Sequence, residues 1–180
     1  MKRILMYLDK LHINKVIRIK TTDIIFDSQV RDACKENKCG RYNQNFMCPP
    51  YVGEIADLKD EILKYSDAIL IYSHDRVENP ENMEHYYLSA DRLHEIILAS
   101  ERACNDWGFK ETKGLIAGHC RLCEPCGATL SLHNCINPME SRMSLEAAGI
   151  DVMKTCESIN EPITFLEKEV TWVGMLLLRR

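Results

Sequence analysis

A chain of 180 residues is long enough for one domain that buries roughly 70% of the surface an extended chain exposes, so it needs no metal merely to own a core. Its net charge of −4 gives no basic footprint for nucleic acid or an anionic membrane, and neither is an expected partner. No run approaches the ~20 apolar residues of a bilayer span, and Asp9-Lys10 interrupts the first apolar stretch before a signal-peptide core forms, so a cytoplasmic location is expected.

Ile4, Leu5, Leu8 and Leu11 recur at helical spacing and predict a first helix; residues 16–19 and 24–26 follow as short strands. Ile55, Leu58, Ile62 and Leu63 form the stripe of a helix that leads into residues 68–72, a continuous apolar run suited to a buried strand. Asn79-Pro80 has the chemistry of an N-cap and first helical residue. From there Met83, Tyr87, Ala90, Leu93, Ile97, Cys104 and Trp107 carry an apolar stripe to Gly108. Residues 114–118 read as the next strand, so strand, long helix and strand predict a right-handed parallel crossover. Residues 144–148 predict a short helix stopped by Gly149, residues 152–159 another, and residues 171–178 a C-terminal strand. The sum is an α/β fold: one domain over residues 1–180, a mixed sheet with flanking helices, and cysteine-rich metal-binding loops. No repeat, linker or glycine-rich phosphate loop interrupts it.

Without an export signal, nine cysteines point to metal ligands, reactive thiols or buried filler rather than disulfides. The strongest signal is Cys120-Arg121-Leu122-Cys123-Glu124-Pro125-Cys126, followed by Cys135. Three thiolates this close on one curling loop can each reach a different iron of a cubane, whereas a single zinc usually takes its ligands as separated pairs. Pro125 opposes a continuous helix through the motif, and Gly127 permits close backbone approach. A [4Fe–4S] cluster on Cys120, Cys123, Cys126 and Cys135 is the expectation, with zinc the alternative.

Cys34, Cys39 and Cys48 form a second set, which permits a second cluster, a zinc site or contributions to the first. Together the seven cysteines are one ligand short of two complete cubanes. Cys156, His119, His133, an exogenous ligand or nothing could fill the last position, and an open iron could bind substrate. Cys48-Pro49 shares the Cys-Pro ending of a ferredoxin run whose last cysteine serves the other cluster, which leaves the partition open. Cys104, on the apolar stripe, reads as core, and His119 as a hydrogen-bonding neighbour of the ligands rather than a ligand. Arg121 and Arg142 could offset the charge of a thiolate-bound cluster.

The chain resembles a family of predicted metal-binding proteins of unknown function (domain of unknown function 2284), found chiefly in archaea and anaerobic bacteria. The resemblance rests on Val30-Arg31-Asp32-Ala33-Cys34, Cys39-Gly40-Arg41-Tyr42, Cys48-Pro49-Pro50-Tyr51, the run from Gly118 to Cys126, Cys135-Ile136-Asn137-Pro138 and the run from Ser144 to Val152. It implies a metal role for Cys34, Cys39, Cys48, Cys120, Cys123, Cys126 and Cys135. It departs at Asn43, where a glycine usually follows the tyrosine. The function expected is electron transfer in anaerobic metabolism through one or two [4Fe–4S] clusters and a redox partner protein. An enzyme with an open iron and a zinc-stabilised adaptor are the alternatives.

Overall fold

The computed structural model describes residues 1–11 and 13–179. Helix α1 (Lys2–Asp9) buries Ile4 and Leu8, one turn apart, and strand β1 (Lys15–Lys20) follows. Helix α2 (Ser28–Lys35) is capped by Asp27, whose carboxylate accepts the Gln29 N–H at 2.9 Å. Helix α3 (Ile55–Ile62) leads into β2 (Asp67–Arg76), and α4 (Met83–Asp106) is the longest helix. Strand β3 (Glu111–Leu115), helix α5 (Val152–Ser158) and strand β4 (Glu169–Arg179) complete the set.

The sheet has the order β1-β2-β4-β3, and every neighbouring pair is antiparallel. The α/β class holds, but the expected mixed sheet is corrected. Strands β2 and β3 do run parallel across α4, yet β4 enters between them and pairs antiparallel with both. The physical reason lies in β4 itself: Val173 to Leu178 are buried throughout, as befits a central strand covered on both faces.

Period-two alternation sends those residues to two cores. On one face Leu70, Val173, Met175 and Leu177 pack with Leu58, Ile62, Leu145 and Ile150. On the other, Ile69, Ile71, Leu176 and Leu178 meet Ile4, Leu8, Leu93 and Ile97. The sheet is therefore sandwiched, with α1 and α4 over one face. At its β1 side, Asp67 accepts from Arg18 (2.6 Å), Lys20 (2.9 Å) and Ser66 (3.1 Å). Burial would raise this carboxyl, but those donors outweigh it and hold the pKa at about 2.

Local expectations differ from the structure at three places. Residues 24–26 form no strand beyond a single bridge from Phe26 to Ile150, because residues Thr21–Asp23 are wound into a 3-10 turn. Asn82, not Asn79, caps α4, accepting the Glu84 N–H at 3.0 Å. Residues 144–148 make one turn rather than a helix, with Ala148 N donating to Ser144 O at 3.1 Å and Gly149 reversing the chain at φ +80°.

Helix α4 approaches the sheet over two glycines. A Cβ at Gly114 would fall 2.2 Å from Ile97 Cγ2, and one at Gly174 would fall 2.4 Å from Ile97 Cδ1. Gly174→Ala is therefore expected to cost about 2 kcal/mol by overpacking. Ile97→Val deletes the obstructing Cδ1, so the double variant should lose less than the sum of the singles in chemical denaturation. Additive losses would show that Ile97 is not the obstacle.

Candidate metal centre

Beyond β3, Ile116 bridges to Ser144 and the chain turns at Gly118, whose φ of +69° suits glycine. The turn delivers His119 and Cys120 to different sides of one wall. Cys120, Cys123, Cys126 and Cys135 line one cavity together with Asn45, Met47 and Asn137. Cys34, Cys39 and Cys48 line a second, of about 230 Å³, with His119, Glu146 and Trp172. The structure thus divides the seven cysteines into four and three, a partition the sequence left open. Among the described residues no three His, Cys, Asp or Glu side chains converge as a single-ion site.

In the four-cysteine cavity the sulfurs have hydrogen-bond donors. Asn137 Nδ2 donates to Cys123 Sγ (3.0 Å) and its backbone N–H to Cys135 Sγ (3.4 Å). Burial raises the Cys120 thiol, partly offset by the backbone N–H groups of Leu122 and Arg142. Arg142 does not face the sulfurs with its charge. Its guanidinium binds the buried carboxylate of Glu101 on α4 (2.6 and 3.0 Å), while its Nη1 donates to Met139 O (3.0 Å) and Ser141 O (2.8 Å). Gly114 N on β3 donates to the same carboxylate at 2.5 Å. Arg121 likewise anchors its loop, pairing with Glu84 and Asp91 on α4 and lying 4.6 Å over the Tyr87 ring.

The three-cysteine cavity gathers two segments. Cys34 rides on α2, Cys39 is exposed in the following loop, and Cys48 is buried before Pro49. Burial, then the neighbouring Cys39 and Cys34, push the Cys48 thiol up to about 12. Arg31, also on α2, is buried and ties the site together, donating to Ala147 O (2.7 Å) and Gly53 O (2.9 Å). Among the described residues no carboxylate lies within ion-pair distance of it. Asn43 stands at φ +56°, which explains its exchange for glycine: asparagine is one of the few other residues that enter the left-handed region readily.

The two loops are joined directly. Asn45 Nδ2 donates to Cys120 O at 2.8 Å, and Arg41 pairs with Glu124 at 3.3 Å. Of the residues considered for the last ligand position, His119 alone lines a cysteine cavity. Cys156 is fully buried in the opposite core, where Tyr72 OH donates to its sulfur at 3.1 Å. His133 is exposed. Cys104 is core, as its periodicity predicts. Burial, then Arg41 and Arg121, hold His119 down to about 4, so its imidazole is neutral near pH 7. Its Nε2 is buried without a hydrogen-bond partner. Sequence reasoning missed Arg31, Asn45 and Glu101 as organisers, since a single polar residue inside a motif or helix carries no periodic signal.

Two cysteine-lined cavities beside an α/β sheet make this a cysteine-rich α/β protein with two sets of candidate metal ligands. The chain belongs to the family described as predicted metal-binding protein (DUF2284), which matches residues 17–178. No curated protein and no solved structure matches it. No helix among the described residues is long and apolar enough to cross a membrane.

Removing Arg142 leaves Glu101 buried with one backbone donor. Arg142→Ala is expected to lower unfolding free energy by about 3 kcal/mol, whereas exchanging both partners for apolar residues (Glu101→Met with Arg142→Met) should cost less. Denaturant titration of the three proteins checks this ordering.

Proposed function

We propose that the protein is a two-cluster iron–sulfur electron carrier of anaerobic metabolism, working in the cytosol. Cys120, Cys123, Cys126 and Cys135 hold a [4Fe–4S] cluster, and Cys34, Cys39 and Cys48 hold a second. The observation that carries the reading is the division of the seven cysteines, four and three, around two adjoining cavities. Three thiolates within the run Cys120–Cys126 can each reach a different iron of a cubane, whereas a single zinc usually takes its ligands as separated pairs.

When bound, the clusters supply one-electron redox chemistry. The chain's own residues supply its surroundings. Asn137 gives N–H groups to two sulfurs, a contact that strengthens as negative charge grows on them. Arg31 contributes a buried cation beside Cys34. Leu122, Leu132, Ile136 and Met139 are exposed around the four-cysteine loop and form an apolar rim for a redox partner protein. The reading with an open iron in an enzyme draws on one observation, the room beside the three-cysteine set. A zinc-stabilised adaptor is the remaining alternative for the same ligands.

Anaerobically purified protein is expected to contain about eight irons with matching sulfide per chain. Stoichiometric zinc without sulfide would end the carrier reading. Asn137→Ala should keep iron content and absorption while lowering one midpoint potential by about 40 mV, the one-electron equivalent of ~1 kcal/mol of differential hydrogen bonding. An unchanged potential in a redox titration would remove Asn137 from the tuning of that centre.

A further inference from the structure

We infer that His119 supplies, through Nε2, the fourth ligand of the cluster held by Cys34, Cys39 and Cys48. The inference rests on the two-cluster reading. Four thiols surround one cavity and three the other, so a second cubane lacks one protein ligand.

The other donors lining the three-cysteine cavity are already engaged or poorly suited. Ser144 Oγ accepts the Ala147 N–H at 3.1 Å, and the Glu146 carboxyl is taken up by hydrogen bonds from Ser144 and from its own backbone N–H. The Tyr87 ring is stacked on Trp172, with centroids 5.5 Å apart, and lies under the Arg121 guanidinium. Tyr42 would have to bind as a phenolate, a charged hard oxygen among soft thiolates in a largely apolar cavity.

His119 differs in each respect. It lines the same cavity, and its ring is held edge-on to Tyr87 with centroids 5.1 Å apart. A buried ring nitrogen without a partner has lost its hydrogen bonds to water, a loss that coordination would make good. The free Nε2 favours ligation over the hydrogen-bonding role expected from the sequence. Imidazole is an established ligand of cluster iron, and unlike thiolate it adds no negative charge.

Backbone geometry gives the ligand its place. Gly118 turns the chain immediately before it, and Cys120 immediately after it faces the other cavity. Consecutive residues therefore serve different clusters, as Met47 and Cys48 line different cavities on the facing loop.

Pulsed electron paramagnetic resonance of the reduced protein, grown with 15N-histidine, tests this. Strong coupling to a directly bound histidine nitrogen is expected in the wild type and in His133→Ala, and its loss in His119→Ala. His119→Cys should keep full iron and sulfide, lose the nitrogen coupling, and shift one midpoint potential downward while the other stays. If His119→Ala impairs folding, His119→Cys takes its place, and a wild-type spectrum without histidine coupling overturns the inference by itself. About eight irons without histidine coupling, with a spectrum that cyanide perturbs, would mean an open iron and overturn the inference alone. Markedly fewer irons, or zinc, would overturn it together with the two-cluster reading.

Discussion

The carboxylate of Glu101 sits where α4, β3 and the loop after Cys135 meet, and the order of the four-cysteine site follows from it. It accepts from Gly114 on β3 and from Arg142 on the loop. Arg142 in turn gathers the carbonyls of Met139 and Ser141, so one guanidinium folds its own loop while anchoring it. His94 Nε2 bonds Glu140 O at 2.8 Å, fixing the same loop to α4 at a second point. A buried ion pair of this kind is weak as a source of net stability, because desolvation offsets the attraction. Its effect here is placement: with that of Leu122, the backbone N–H of Arg142 eases burial of Cys120.

Arg31 does the parallel task at the three-cysteine site by different chemistry. Its hydrogen-bond partners are carbonyls, and among the described residues no carboxylate lies within ion-pair distance of it. A buried cation is costly unless an anion lies near; the Cys34 sulfur favours the charge of Arg31 most, followed by the Glu54 carboxylate. The two sites thus carry arginines with opposite electrostatic status. Arg142 is neutralised by Glu101 and acts through geometry; Arg31 keeps its charge for the site it closes.

Much of this was legible from residues alone. The stripes of α1, α3 and α4 and the apolar run of β2 fixed their own identities, because burial on one face leaves a period in the sequence. Strand order did not, since β4 pairs across a long separation and nothing local marks which strands it will lie between. Asn79-Pro80 and Asn82 offer equally good capping chemistry, and only the path of the chain from β2 chose the later one. The cysteine spacing singled out the candidate ligands but not their grouping. That depended on the Asn45–Cys120 contact between loops 75 residues apart, and single hydrogen bonds at that distance leave no pattern.

The same contact sets the relation between the two cavities. Asn45 and Met47 line the four-cysteine cavity and Cys48 the other; Cys120 lines the first and His119 the second. At each place a single peptide link separates residues of the two linings, and consecutive Cα atoms lie only about 3.8 Å apart. The cavities therefore share a wall one backbone thick, built from both loops and clamped by Asn45 and by the Arg41–Glu124 pair. Under the two-cluster reading such a wall puts the centres within direct reach of one another. On that reading the four-cysteine loop, where Leu122, Leu132, Ile136 and Met139 are exposed, is the side that meets a partner, and the site beside Arg31 lies behind the shared wall.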